Sequence, residues 1–293
     1  MILKRKIVFI INPIAGKGAS STLPAVIEQT IDHLSFDLQI QTSNEPGDIE
    51  KLTLDAIKNG AEIIVAAGGD GTVNEIAKHL VHTSIALGII PTGSGNGLGN
   101  FLKIPHDLKK AVEKINQLNF RIIDTGSING HFFVSVAGIG FDASVAKSYA
   151  QSNTRGFKTY FHSAFKKYFS YKPAKYKIKF NNNLIARRAL LITFANTDQF
   201  GYNTSIAPLA SIDDGLLDMC IMKKVPLIAA PVVIPKLFTR RIHTSRFHES
   251  YLVQEATVFR KRLSVIQIDG EPIRMKEKVI RVVCNKQSLK VLA

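Results

Sequence analysis

The sequence predicts a doubly wound α/β domain followed by a β-rich one. At 293 residues the chain exceeds one average domain and suits two. Up to Asp124, short unbroken apolar runs alternate with amphipathic stretches, as in a parallel sheet covered on both faces. After Asp124, turn signals recur roughly every ten residues between strand-like runs. The predicted boundaries are 1–124 and 125–293, with the last residues expected to pack back on the N-terminal domain.

Taken in order, Ile7–Ile11 reads as the first strand, and Leu23, Ile27, Ile31 and Leu34 form the apolar stripe of the helix after it. Leu38–Thr42 is the second strand. Ile49, Leu52 and Ala56 mark the second helix, which Gly60 closes. Ile63–Ala67 and Ile85–Ile90 are the next two strands. In the second half the runs FFVSVA, KYKIKF, ALLITFA, LLDMCIM, SVIQID and KVIRVV read as strands, and Tyr176, Ile178 and Phe180 alternate with lysines, which predicts one dry and one cationic face. Two helical interruptions are expected: Phe157–Tyr171, whose aromatic stripe is expected to face the core, and the proline-containing stretch after Val225.

Composition narrows the function classes. The apolar fraction of 45% and charged fraction of 21% exclude extended disorder. The two cysteines, Cys220 and Cys284, form no disulfide framework or zinc pattern, which fits a reducing cytoplasm. The N-terminal apolar run is broken by Asn12 and Pro13 and reads as a buried strand rather than a leader, and no apolar stretch is long enough to span a bilayer. A net charge of +15 favours polyanionic company, namely an anionic membrane surface, phosphorylated ligands or nucleic acid. His79 and His82 share a helix face without an acidic or thiol ligand in the pattern, so a packing or surface role is expected rather than metal binding.

Three glycine-rich loops carry the chemistry: Asn12-Pro-Ile-Ala-Gly-Lys-Gly18, Gly68-Gly-Asp-Gly-Thr-Val-Asn-Glu75 and Pro91-Thr-Gly-Ser-Gly-Asn-Gly-Leu-Gly-Asn100. Each follows a predicted strand, so all three should emerge at the carboxyl edge of the sheet, where ligands of open α/β sheets bind. Glycine lets the backbone approach a phosphate closely, and N–H groups at a helix start hold the anion. Any one such loop alone reads first as a tight strand-to-helix turn; three on one half-sheet, one carrying Asp70, point to a nucleotide. Neither the P-loop nor the GxGxxG pattern is present.

The set NPIAGKG, GGDGTVNE and PTGSGN resembles the catalytic domain of the diacylglycerol kinase superfamily, which is more distantly similar to NAD kinases. Ile123-Asp-Thr-Gly126, Val136–Ala143, Ile206–Asp218 and Ile268–Pro272 resemble its later landmarks, so the resemblance covers nearly the whole chain. It implies an NAD kinase-like nucleotide domain, a C-terminal β-sandwich, and an ATP- and Mg²⁺-dependent kinase acting on a lipid hydroxyl. By the same resemblance ATP contacts fall on Asn12, Pro13, Gly16, Thr42, Gly68, Gly69, Asp70, Gly71, Thr72, Val73, Asn74 and Ser94, the last standing where the family usually has threonine. Glu271 becomes the proton acceptor, with Asp70, Asp124 and Asp269 holding or positioning magnesium. A structural magnesium maps onto the side chain of Asp214 and the carbonyls of Ser211 and Leu216, oxygen donors that suit a hard cation. Asp124, Asp269 and the Asp-Asp-Gly turn read equally as ordinary turn residues. The family's acyl chain lies in an apolar cleft of the second domain, which the aromatic stripe could help line.

The expected partners are a lipid substrate and, peripherally, an anionic membrane, with basic residues of the second half docking a cytoplasmic enzyme. A homodimer is an open alternative, and no nucleic acid is expected. Diacylglycerol is the default acceptor; a sphingoid base or ceramide is the leading variant, because Gly93-Ser-Gly-Asn reads like the sphingosine-kinase branch. NAD kinase and a basic nucleic-acid-binding protein are weaker rivals.

Overall fold

The computed structural model describes residues 4–15, 19–152, 156–201, 204–261 and 265–293. The chain divides into two compact units, one of residues 1–123 with 287–293 and the other of residues 124–286.

The first unit runs β1 (Arg5–Ile11), α1 (Ala19–Thr30), β2 (Phe36–Thr42), α2 (Asp48–Lys58), β3 (Ile63–Gly68), α3 (Asp70–Leu80), β4 (Ala86–Pro91), α4 (Gly97–Phe101) and α5 (Leu108–Asn116). Its strands are parallel in the order β2-β1-β3-β4, and near the end of the chain Lys290 and Val291 pair in parallel with Ala86 and Leu87. Every residue of β3 and β4 is buried, as is Ile7 to Ile11, because both faces of the sheet are covered. The doubly wound reading therefore holds. Leu23, Ile27 and Ile31 are buried as their spacing predicts, but Leu34 is 83% exposed. The helix stops at Thr30 because the Asp32 carboxylate accepts the Leu34 amide at 3.0 Å and the Ser35 hydroxyl at 2.5 Å, offering the backbone a turn in place of another helical one.

β5 (Phe120–Ile128) carries the chain into the second unit. There follow β6 (His131–Phe133), β7 (Val136–Gly140), α6 (Phe141–Ala150), α7 (Phe157–Ser170), β8 (Ala174–Phe180), β9 (Asn183–Ala189), β10 (Leu191–Ala195), β11 (Gln199–Gly201), β12 (Thr204–Ser205) and β13 (Leu217–Met222). A 3₁₀ turn at Leu227–Ala229 leads to α8 (Ala230–Phe238), then β14 (His248–Val253), β15 (Glu255–Arg260), β16 (Val265–Ile268), β17 (Glu271–Arg274) and β18 (Val279–Leu292). One antiparallel sheet is ordered β14-β13-β10-β7-β16-β17; a second pairs β18, β15, β8 and β9, with β5 and β6 beside β18. Ile139, Ile192, Phe194, Met219 and Ile266 from the first sheet share one apolar core with Tyr176, Ile178, Phe180, Val258 and Ile280 from the second, which makes the unit a β-sandwich.

Two expectations change here. FFVSVA is not one strand, because it splits between β6 and β7 at Val134 and Ser135. The aromatic stripe of α7 is not uniformly core: Phe161, Phe165 and Phe169 are 49%, 58% and 53% exposed. Among the described residues of the stripe, Tyr168 packs edge-on against Phe141 at 5.8 Å, with Tyr171 just beyond the helix doing the same at 5.6 Å. The side chains of Phe157, Lys158 and Tyr160 lie outside the described residues.

Candidate active site

In the first unit the loops are knitted together by side chains. The parallel register aligns Ile11 with Thr42, Ile11 with Ala67, and Gly68 with Pro91, so the carboxyl ends of all four strands form one edge. Strand order turns around between β1 and β3, the position where such sheets open a crevice. Asn12, just past β1, donates its Nδ2–H to Thr72 Oγ1 at 3.0 Å, tying the first loop to the second, while its Oδ1 accepts the Ile14 amide at 3.1 Å. Asp70, in the first turn of α3, ties the second loop to the third: Oδ2 accepts the Asn96 amide at 2.9 Å and Oδ1 the Gly97 amide at 2.6 Å. The Thr92 and Gly93 amides both donate to the Gly68 carbonyl.

The glycines are needed at two of these contacts. A Cβ on Gly93 would overlap the backbone of Gly69, and one on Gly95 would overlap the Asp70 carboxylate. Asn96 adopts a left-handed backbone, φ 56°, held by its Nδ2–H to the Gly93 carbonyl at 2.7 Å. Thr42 and Ser94 are exposed, Asn74 is half-buried, and Thr72 is buried beneath Gly68. Gly16 lies outside the described residues. The structure thus gathers Asn12, Thr42, Gly68, Gly69, Asp70, Thr72 and Ser94 along one edge, with the start of α3 supplying backbone amides and a positive dipole end. Asn96 and Gly97 are partners that motif reading passed over; the glycine between Ser94 and Asn96, which admits the Asp70 carboxylate, was the available signal.

In the second unit Asp269 and Gly270 form the two-residue turn between β16 and β17, both with positive φ, 45° and 90°. An Asp-Gly pair is what such a hairpin turn selects. The Asp269 carboxylate is buried and accepts three backbone amides: Val134 on Oδ2 at 2.9 Å, Ser135 and Val136 on Oδ1 at 2.8 and 2.9 Å. Its job in the fold is therefore to anchor the turn that presents Glu271, whose side chain is exposed at the start of β17. Asp124 is fully buried in β5; its Oδ2 accepts the Gly215 amide at 2.6 Å and its own amide donates to the Ile212 carbonyl. Asn196 completes the net, donating Nδ2–H to the carbonyls of Asp124 at 2.7 Å and Val134 at 2.9 Å. No sequence pattern marks Asn196, which lies at the end of an apolar run.

The expected metal turn is thereby a neighbour of Asp124. Within it the Ser211 hydroxyl donates to Asp213 Oδ1 at 3.0 Å and the Leu216 amide to Asp214 Oδ1 at 2.9 Å. Asp218 follows, its carboxyl pushed up to about 6 by burial and by the negative charge of Asp214. Hard oxygen donors and crowded negative charge are the chemistry a divalent cation relieves, so the donor set suits magnesium. Among the described residues no group of three or more His, Cys, Asp or Glu side chains gathers for a metal, so any such ion would lean on carbonyls and water. His79 instead meets Glu50 at 3.1 Å on the surface of the first unit, beside a Lys78–Glu50 pair.

One further carboxyl, Asp142, escaped notice as a chemical group. It lies over Gly138, where no Cβ could fit, in the row Thr193, Gly138 and Gln267 across β10, β7 and β16. Complete burial raises its pKa to about 7, against the opposing bonds from Ala143, Gln267 and Thr193.

Residues 6–128 match the diacylglycerol kinase catalytic domain, and residues 135–293 match the YegS C-terminal NAD kinase beta sandwich-like domain. A protein of Chromohalobacter salexigens named "Probable lipid kinase YegS-like" is 31% identical over 214 residues, covering 70% of this chain and 69% of its own. The protein named "Diacylglycerol kinase" of Bacillus subtilis strain 168 is 27% identical over 223 residues, 74% of each chain. Among solved structures, that of a diacylglycerol kinase from Bacillus anthracis strain Sterne aligns with a TM-score of 0.74 over 98% of this chain and 96% of that one; at 20% identity this is a likeness of fold.

Proposed function

The chain belongs to the diacylglycerol kinase superfamily of lipid kinases, and on that premise we propose that its acceptor is the free hydroxyl of diacylglycerol. As a phosphotransferase of a kinase family it uses ATP as the donor. The observation that carries the residue assignment is the stitching of three glycine loops by Asn12 and Asp70 along the carboxyl edge of the sheet.

In this reading the phosphates of ATP lie on backbone amides of the loops bearing Asn12, Pro13, Gly16, Gly68, Gly69, Gly71, Thr72, Val73 and Asn74, with Ser94 and Thr42 offering hydroxyls. Each charge-assisted bond from an amide to a phosphate oxygen contributes roughly 1.5–3 kcal/mol. Magnesium, when bound, would neutralise charge on the phosphates; Asp70 and Asp124 would hold or position it, directly or through water. Asp269 contributes by fixing the Asp-Gly turn. The exposed Glu271 takes the proton of the lipid hydroxyl as that oxygen bonds the γ-phosphorus and the bridging oxygen leaves with ADP. A second, structural magnesium would sit on Asp214 and the Ser211 and Leu216 carbonyls. Among the described residues no helix is long and apolar enough to cross a membrane; the enzyme is read as cytoplasmic, meeting its lipid peripherally at an anionic surface.

The test is transfer of labelled phosphate from ATP to diacylglycerol, sphingosine and ceramide presented in mixed micelles. Label in diacylglycerol, abolished by Glu271→Gln with ATP affinity preserved, is the expected result. Label in sphingosine or ceramide alone would move the acceptor to a long-chain base. Wild-type activity in both Glu271→Gln and Asp70→Asn would overturn the site.

A further inference from the structure

Two stretches of the second unit contain no acid at all. Between Asp142 and Asp198, and again between Asp218 and Glu249, there is no Asp or Glu, yet the two stretches hold 11 and 6 Lys and Arg, together 17 of the chain's 38. The first contains α7 and the second contains the 3₁₀ turn and α8. They meet: the Tyr168 hydroxyl donates to the Val225 carbonyl, Lys224 Nζ donates to the Tyr171 carbonyl at 2.9 Å, and the same ammonium stands 5.2 Å from the centre of the Tyr168 ring. A groove of about 420 Å³ runs along the join, lined by Tyr168, Phe169, Lys224, Val225, Pro226 and Leu227.

This is also where large apolar side chains stand in water. Phe161, Phe165 and Phe169 recur every fourth residue along α7, the last two touching edge-to-face at 5.0 Å. Across the groove Leu227, Ile228 and Val232 are 61%, 92% and 66% exposed. Apolar tips among cations, with no carboxylate in either stretch, do not suit a second copy of the same surface, which would set cation against cation. They suit a layer that is anionic at its face and hydrocarbon beneath. At 14 and 9 residues, α7 and α8 are too short to cross such a layer and long enough to lie in its boundary.

We infer that this surface is where the enzyme enters an anionic phospholipid bilayer: Phe165, Phe169, Leu227, Ile228 and Val232 insert at the boundary between headgroups and acyl chains. Lys166, Lys167 and Lys172, on and just after α7, meet the phosphates. The inference rests on the reading that the acceptor is a membrane lipid, and it names the face by which the enzyme reaches it.

The chain has no tryptophan, so Ile228→Trp is a single reporter. On vesicles of phosphatidylglycerol and phosphatidylcholine, without ATP or substrate, its emission should shift to the blue and be quenched by lipids brominated on the acyl chain. Leu184→Trp, on the edge strand β9, should not respond. Leu227→Ser/Ile228→Ser/Val232→Ser should lower vesicle partitioning by about tenfold or more while leaving transfer to water-dispersed short-chain diacylglycerol unchanged. Lys166→Glu/Lys167→Glu should lose about tenfold or more on anionic vesicles only. A protein that sediments with vesicles while Ile228→Trp stays unshifted overturns the inference, as does a blue shift that follows protein concentration without lipid, which would mean self-association. Equal loss on the short-chain substrate overturns it too, by assigning the tips to the acceptor site. Insertion at Ile228 with no lipid phosphorylated by wild type would sink the kinase acceptor and leave the docking face standing.

Discussion

The loop edge of the first unit and the carboxylate net of the second are built in opposite senses. In the first, the groups that would touch ligand are backbone amides, and side chains such as Asn12 and Asp70 hold the loops in place. In the second, the side chain that would act is a carboxylate, and backbone amides hold its turn, three of them on Asp269. The lesson is that the two regions should fail differently: the first when an atom is added, the second when a charge is removed.

The largest effect expected is in the second region. Glu271→Gln keeps the shape and removes the proton acceptor, so kcat should fall roughly 10²–10⁴-fold with ATP binding unchanged; a parallel loss of ATP affinity would blur the distinction between the regions. Next comes Gly93→Ala, whose methyl would meet the Gly69 backbone and force two loops apart. Calorimetric ATP affinity should drop about a hundredfold while the circular dichroism of the β-rich unit is unaltered.

Asp70→Asn loses the charge on two short bonds that join loops. A penalty of about 2 kcal/mol, or some thirtyfold in ATP affinity, is expected. Asp269→Asn sharpens the contrast. It should cost about 2 kcal/mol of stability in urea unfolding, because a buried carboxylate on three amides is a fold element before it is a chemical one.

The smallest effect is on pH dependence, at Asp142. Its pKa is raised from 3.8 to about 7 by burial. The folded state therefore holds a proton that the unfolded chain releases, so the contribution to stability is full below about pH 4 and is lost as pH rises through about 7. Asp142→Asn should flatten the unfolding curve across that window. Glu249 has the opposite sign: burial alone would raise it, but Lys223, Arg187 and Tyr251 override that and lower it to about 2. Its contribution is present above about pH 4.5 and is lost as pH falls through about 2, so Glu249→Gln should weaken the protein at neutral pH and not at pH 2.

Much of the first region was legible because its signals are local. A strand followed by glycines needs only chain-neighbour geometry to be read, and β1, β3 and β4 fell where the apolar runs lay. Leu34 was misplaced because a side chain two residues upstream, Asp32, bonds the backbone and ends the helix, a competition that periodicity does not register. In the second region the bonds that matter join residues far apart in the chain. Val134 reaches Asp269, Asn196 reaches Asp124, and Gly215 reaches Asp124. FFVSVA therefore read as one strand, although its middle amides belong to a carboxylate 135 residues away. The α7 stripe read as core because apolarity shows that a face prefers to leave water and says nothing of what covers it.

The sequence alone determined the two-part architecture, the loops that suit phosphate and the membership of a lipid-kinase family, because apolar period, glycine placement and motif spacing are properties of neighbouring residues. Tertiary structure decided which carboxylates anchor turns and which stand exposed, what Asp142 is buried among, and that Phe161, Phe165 and Phe169 of α7 stand half-exposed while Tyr168 packs inward. Those outcomes depend on burial and on hydrogen-bond partners supplied from distant parts of the chain, and a linear pattern carries neither.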